Sequence, residues 1–312
     1  MKTLKYWILT VFLAIFFASV FRIFFFELYR VSDSSMLPNF HEKEWVLVNK
    51  IHFGGRVPIT FFSLPFSKND YSAAIQLPYM RMKNFGNISL GEVIVFNSTT
   101  YPEIPIDKGA VTMSRCVALP NDTLEIIEQN VFINSTLLSL PTEIFHEFTL
   151  NFSSQITPQF VENYNITEIE INEKSCRRFL SSVEVQNIQN QEFIISVEDN
   201  SYQKFFKQKE IFPSNNLFSW NRDYFGKVII PAKNSTININ LQNICLYEKI
   251  IRFYEKNSLE IKDGKILINN AVSNTYTFQY NYYFLMNDNR DYSQDSRYYG
   301  LVPETAIIGV VK

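Results

Sequence analysis

Asn287-Asp288-Asn289-Arg290-Asp291-Tyr292-Ser293-Gln294-Asp295-Ser296-Arg297 follows directly on the apolar run Tyr282-Tyr283-Phe284-Leu285-Met286. A polar side chain at almost every position, straight after an apolar strand, makes this the most specific motif in the chain. Two weaker segments precede it. One is Ser35-Met36-Leu37-Pro38, and the other is Arg115-Cys116-Val117-Ala118-Leu119-Pro120-Asn121-Asp122. Further upstream, Tyr6 to Phe21 is apolar apart from Thr10 and Ser19, so Ser35 stands just past a hydrophobic N-terminal stretch.

Composition narrows the class. The chain has 312 residues, of which 46% are hydrophobic, enough for a sizeable core in one large or two modest domains. Aromatics at 16% favour strand-rich structure, because rings pack well on a pleated surface. The formal charge of −2 carries no polybasic signature, which excludes a nucleic-acid partner of the usual kind. Three cysteines (Cys116, Cys176, Cys245) and three histidines without His-x-x-x-His spacing give neither a disulfide framework nor a metal centre. No cofactor or metal is expected.

Counted through Arg22, the apolar N-terminal stretch reaches the ~20 residues that cross a bilayer core, and Arg22 lies near one end, where it can snorkel. Lys2 and Lys5 precede it and favour a cytoplasmic N-terminus, although Arg22 and Arg30 weaken that vote. A cleaved signal peptide is the rival reading. The residues after the core are Phe24, Phe25, Phe26 and Glu27, which do not form a small-x-small site. The segment therefore reads as an uncleaved single-pass anchor in the lipid bilayer, with the main domain exported.

The remainder reads as β-dominated. Glu44 to Val48 is a short strand, and Gly91 to Phe96 a turn followed by a buried strand. Gly54 to Tyr79, with Pro58, Pro65 and Pro78, reads as a long surface loop. Residues 123–135 (TLEIIEQNVFINS) and 258–270 (SLEIKDGKILINN) echo each other, each as a β-hairpin. Leu246, Ile250 and Phe253 fall at helical spacing, which predicts an amphipathic helix over Leu241 to Asn257. Three parts result: an anchor at 1–30, a mainly β domain from 31–135 and 210–312, and an inserted cap region at 136–209.

In this order behind an N-terminal span, the three motifs resemble bacterial type I signal peptidases of the longer kind with an insertion. The resemblance covers roughly residues 1–135 and 210–312. It implies a β-rich fold on the outer (periplasmic) face of the inner (cytoplasmic) membrane. It also implies cleavage of signal peptides from exported preproteins by a serine–lysine dyad. Ser35 matches the nucleophile. Its hydroxyl needs a neighbouring base, which in the family is a lysine immediately before the arginine of the second motif. That position is Ser114 here, in Thr112-Met113-Ser114-Arg115-Cys116. Lys108 lies six residues upstream, at a separate location. Two residues before the nucleophile the family often places a hydroxyl that helps bind the oxyanion. Here it is Asp33, a carboxylate beside a developing negative charge.

Other matches are gentler. Ser293 stands where the family orients the lysine, and without one it is free to hydrogen-bond Ser114. Tyr29, Val31, Met36 and Met113 match substrate-pocket positions, and read equally well as plain strand and core residues. Arg115, Asp288, Arg290, Asp295 and Arg297 match structural positions near the site, Asp295 and Arg297 as an ion pair. Asn121 and Asn287 replace glycines, and asparagine tolerates φ > 0, so turn geometry survives. The changes to chemistry are severe and those to scaffold mild. The expectation is therefore a signal peptidase I family protein that is weakened or inactive. Its alternative is a non-catalytic member that binds signal peptides or a membrane protein partner as a subunit.

Overall fold

The computed structural model of the chain describes residues 2–63, 71–140, 142–155 and 170–312. Its first element, α1 (Lys2–Phe24), is apolar on all sides. Trp7, Phe12 and Phe17 are each more than 60% exposed, and nothing in the span Leu4–Phe24 is buried against the rest of the chain. The helix is long and apolar enough to cross a bilayer. A core helix would instead cover one face.

Strand β1 (Phe26–Arg30) starts one residue after α1 ends. The junction is pinned by Lys50, whose Nζ donates to the helix-end carbonyl of Arg22 (2.9 Å) and to Glu27 Oε2 (2.7 Å). Arg22 Nη2 donates to Glu27 Oε1 at 2.6 Å. Burial pushes the Glu27 carboxyl up, but Lys50 and Arg22 more than offset this and hold it below its ordinary value.

The main sheet contains β1, β2 (Trp45–Asn49), β3 (Val93–Asn97), β4 (Val111–Ala118), β5 (Tyr282–Met286), β6 (Val302–Pro303) and β7 (Ile307–Val311). They run in the order β1-β2-β7-β3-β4-β5-β6, every pair antiparallel. The two-residue period of a strand explains the layers. On β3, Val93 and Val95 join Val31, Met36, Val46, Val48 and Met113 on one face. Ile94 and Phe96 join Cys116, Leu285, Tyr299 and Ile307 on the other. On β2, Val46 and Val48 point inward while Trp45 and Leu47 are exposed. The protein is thus mainly β with one long N-terminal helix, as the sequence predicts.

Both echo segments are hairpins, with Leu124 opposite Ile133 and Leu259 opposite Ile268. Their turns are left-handed pairs: Glu128 and Gln129 in the first, Asp263 and Gly264 in the second. Asn134 and Asn269, equivalent by position, each accept the amide that opens their hairpin.

Two local expectations fail. Within Gly54 to Tyr79, Thr60–Ser63 pairs with Tyr71–Gln76 as a hairpin instead of a loop, while 64–70 lies outside the described residues. Asp107 accepts the amides of Ile59 and Thr60, a tertiary support invisible in the local sequence. Leu241 to Asn257 is not one amphipathic helix. It breaks into a 3₁₀ turn at Ile244–Leu246 and a wide π turn at Ile250–Tyr254, and Phe253 is 44% exposed. The burial of adjacent Ile250 and Ile251, together with the capture of Lys249 Nζ by the carbonyls of Thr99 (2.6 Å) and Tyr299 (2.8 Å), overrides helical periodicity.

Between residues 136 and 209, His146–Phe152, Glu170–Ile171, Ser175–Leu180 and Ile194–Asp199 form a four-stranded sheet. Helix α2 (Ser182–Gln189) packs on it, started by a capping box between Ser181 and Glu184. The sheet has its own small core of Leu150, Phe152, Cys176 and Leu180. Cys116 and Cys176 are buried and Cys245 is partly exposed.

Candidate active site

The three sequence motifs meet at one place. Ser34–Met36 forms a 3₁₀ turn that packs on β4, the strand carrying Ser114 and Arg115. The amide of Asn289 donates to the Ser35 carbonyl (2.9 Å), and Asn289 Nδ2 to that of Ser34 (3.2 Å). Arg115 Nε donates to Asp288 Oδ1 at 2.7 Å, and its Nη2 also pairs with that carboxylate. Asn39 Nδ2 bonds the other Asp288 oxygen at 2.9 Å. Asp288, fully buried, therefore ties the first and second motifs to the third. Asn39, just beyond Pro38, had no role in the sequence reading. Its only signal was adjacency to the Ser35 motif.

The arm from Asp288 to Arg297 is an ion-paired scaffold. Arg297 Nε and Nη2 both donate to Asp295, at 3.0 and 2.9 Å, with both side chains essentially inaccessible. Burial works against the Arg297 cation, but Asp295 outweighs it and raises the guanidinium above its usual value. Arg290 is also buried, and there burial prevails, lowering it to about 10. Asp291 faces His146 (3.3 Å) and Arg222 (3.2 Å). Burial would raise Asp291, yet His146, Arg222 and Arg297 together hold it far below the usual carboxylate range. The root of the 136–209 region is stitched to the same arm: Phe145 N donates to Asp288 O and Arg290 N to Phe145 O, both at 2.9 Å.

The chemistry-bearing positions look different. Ser35 is buried, and its hydroxyl makes no hydrogen bond among the described residues. Its backbone N–H donates to Asp33 Oδ1 at 2.9 Å, so Asp33 acts as the N-cap of this 3₁₀ turn. Ser32 Oγ donates to Asp33 Oδ2 (3.2 Å) and lies 3.3 Å from the Tyr29 hydroxyl. Tyr29 in turn donates to the Val111 carbonyl at 3.2 Å, spanning from β1 to β4. Burial raises its phenol above the ordinary value. Val31, Met36 and Met113 line the same apolar face of the sheet, packed among Val46, Val48, Val93 and Val95.

At the expected base position, Ser114 is 1% exposed and its Oγ donates to Asn287 Oδ1 at 2.6 Å. Asn287 Nδ2 donates to Ser293 Oγ (2.8 Å) and to the Gln294 carbonyl (3.3 Å). The expected Ser293–Ser114 contact is thus replaced by an asparagine between the two. Asn121 does adopt φ +74, but Asn287 is not among the residues with positive φ, so its substitution is not a matter of turn geometry. Its side chain carries the difference. Lys108 sits in the turn ahead of β4, its amide donating to Pro105 O at 2.7 Å.

This constellation, a serine turn and a buried polar strand position gripped by an acidic and basic arm on a curled β sheet, defines a signal-peptidase-like serine site. The sequence matches the family described as "Signal peptidase, peptidase S26" over residues 4–214 and 228–312, and the chain belongs to that family. It is similar to Signal peptidase I of Buchnera aphidicola subsp. Baizongia pistaciae (strain Bp), 24% identical over 294 residues that span 94% of this chain and 70% of that protein. The Signal peptidase I of Buchnera aphidicola subsp. Acyrthosiphon pisum (strain APS) is likewise 24% identical over 300 residues, 96% of this chain and 70% of its own. Family membership implies action on proteins bearing signal peptides and an anchor in the inner membrane, and α1 supplies a helix fit for that anchor.

Proposed function

We propose that this chain is a signal peptidase I relative that receives signal peptides at the Ser35 turn but cleaves them weakly or not at all. One observation carries the reading. The base position holds Ser114, whose proton is committed to Asn287, and a serine hydroxyl cannot take a proton from Ser35 near neutral pH. Loss of a general base costs ~10²–10⁴-fold, and more when residues act as a unit. Asp33 adds to this. An oxyanion needs N–H and O–H donors, whereas here a carboxylate oxygen accepts the Ser35 amide.

The rest of the reading follows from the sequence. Lys2 and Lys5 favour a cytoplasmic N-terminus with the main domain on the outer side. Residues 136–209 form an inserted cap, joined to the site through Phe145 and the His146–Asp291 pair. As a binder of signal peptides, the protein would serve as a subunit beside a membrane protein partner.

The test uses the full-length protein in liposomes with a signal-peptide substrate. Binding is expected with cleavage no faster than in Ser35→Ala. Cleavage that disappears in Ser35→Ala would overturn the reading.

A further inference from the structure

We infer that Asn287 is the residue that keeps the base position closed: its carboxamide fills the space between positions 114 and 293 in which a lysine amine would have to lie. The inference rests on the reading that Ser114 marks the base position. Asn287 is 3% exposed, and every polar atom of its side chain is engaged: Oδ1 by Ser114, Nδ2 by Ser293 and Gln294. Its backbone N–H is held by Asp295 Oδ2 at 3.1 Å, which ties the Asn287 backbone to the buried Asp295–Arg297 pair, while the three side-chain bonds hold the carboxamide. Beside Ser114 stands the buried Tyr299, whose ring packs with Phe96. A longer side chain at 114 therefore meets both Asn287 and a packed ring. Interiors this dense do not absorb added methylenes without strain.

Serine at 114 and asparagine at 287 are then a matched pair. Lysine exceeds serine by about as many side-chain atoms as asparagine exceeds glycine, so exchanging both conserves volume where exchanging one does not. Ser293 would remain to accept a hydrogen bond from the amine, in place of the one it now accepts from Asn287. Asn287 is accordingly a positioning residue. It decides what position 114 can hold and touches no substrate itself.

The experiment compares four full-length proteins, all carrying Asp33→Ser: no further change, Ser114→Lys, Asn287→Gly, and both together. Each is assayed for Ser35-dependent cleavage of a signal-peptide substrate across pH, and for its melting temperature. Ser114→Lys alone is expected to melt lower and to show no Ser35-dependent cleavage. The pair is expected to recover melting temperature beyond the sum of the single changes. It should also cleave at least about 100-fold faster than Ser114→Lys, with a rate that rises as the lysine loses its proton. If the pair stays silent but the melting shifts are non-additive in this sense, the inference still stands. Additive melting shifts, or detectable Ser35-dependent cleavage that is equal with and without Asn287→Gly, overturn it. Ser35-dependent cleavage by the unaltered chain would instead overturn the proposed function, and the melting comparison would then judge this inference on its own.

Discussion

The arm from Asp288 to Arg297 and the pocket from Asp33 through Ser114 to Asn287 touch one another, yet they are built differently. The arm holds charge paired with charge: Asp288 with Arg115, Asp295 with Arg297, Asp291 with Arg222. The pocket holds hydroxyls, an amide and a carboxylate in short hydrogen-bonded chains, Ser114 to Asn287 to Ser293 and Ser32 to Asp33. Removing one member of a buried ion pair strands a charge in the interior, whereas swapping hydroxyl for amide needs only that donors and acceptors be re-matched. Folding alone is enough to hold the arm. Only catalysis would hold a lysine in the pocket.

That contrast can be broken most decisively at Arg297. Arg297→Met should lower stability by ~3–5 kcal/mol in chemical denaturation, because Asp295 is left buried and unpaired. A loss under 1 kcal/mol would mean the arm is no more constrained than the pocket. Acid gives a smaller, graded test. Asp291 has its carboxyl pKa depressed on folding, so the stability it contributes is present above its unfolded pKa of about 4 and drains away as the pH falls below that. Melting temperature followed from pH 7 downward should fall more steeply for the unaltered protein than for Asp291→Asn. Parallel curves would remove Asp291 from the scaffold. The smallest effect belongs to the pocket: Ser35→Ala deletes a hydroxyl that bonds none of the described residues and should change stability by no more than about 0.5 kcal/mol.

Where the sequence was legible, the reason was local physics. The buried strand at Val93 to Phe96, the two echo hairpins and the long apolar run ahead of Glu27 are each decided within a few residues, and the structure keeps all three. The three motifs also met as their order implied. The failures have a common cause in distant partners. The Leu241 to Asn257 periodicity lost to the carbonyls that hold Lys249, which belong to Thr99 and Tyr299. Asn287 looked like a tolerant substitute for glycine, since asparagine accepts φ > 0. Whether it acts through backbone or side chain depends on Ser114, 173 residues away, and that contact exists only in the fold.

The junction between α1 and the sheet has its own consequence. With one residue between helix and strand, and Lys50 bonded across both, there is no swivel on which the sheet can turn. Strand β1 rises about 3.4 Å per residue, so its five residues place the Ser35 turn at a set height above the helix end. A site mounted this way behaves as a depth stop. Whatever layer holds the helix also fixes which point along an approaching chain can reach Ser35, before any side chain of that chain is inspected.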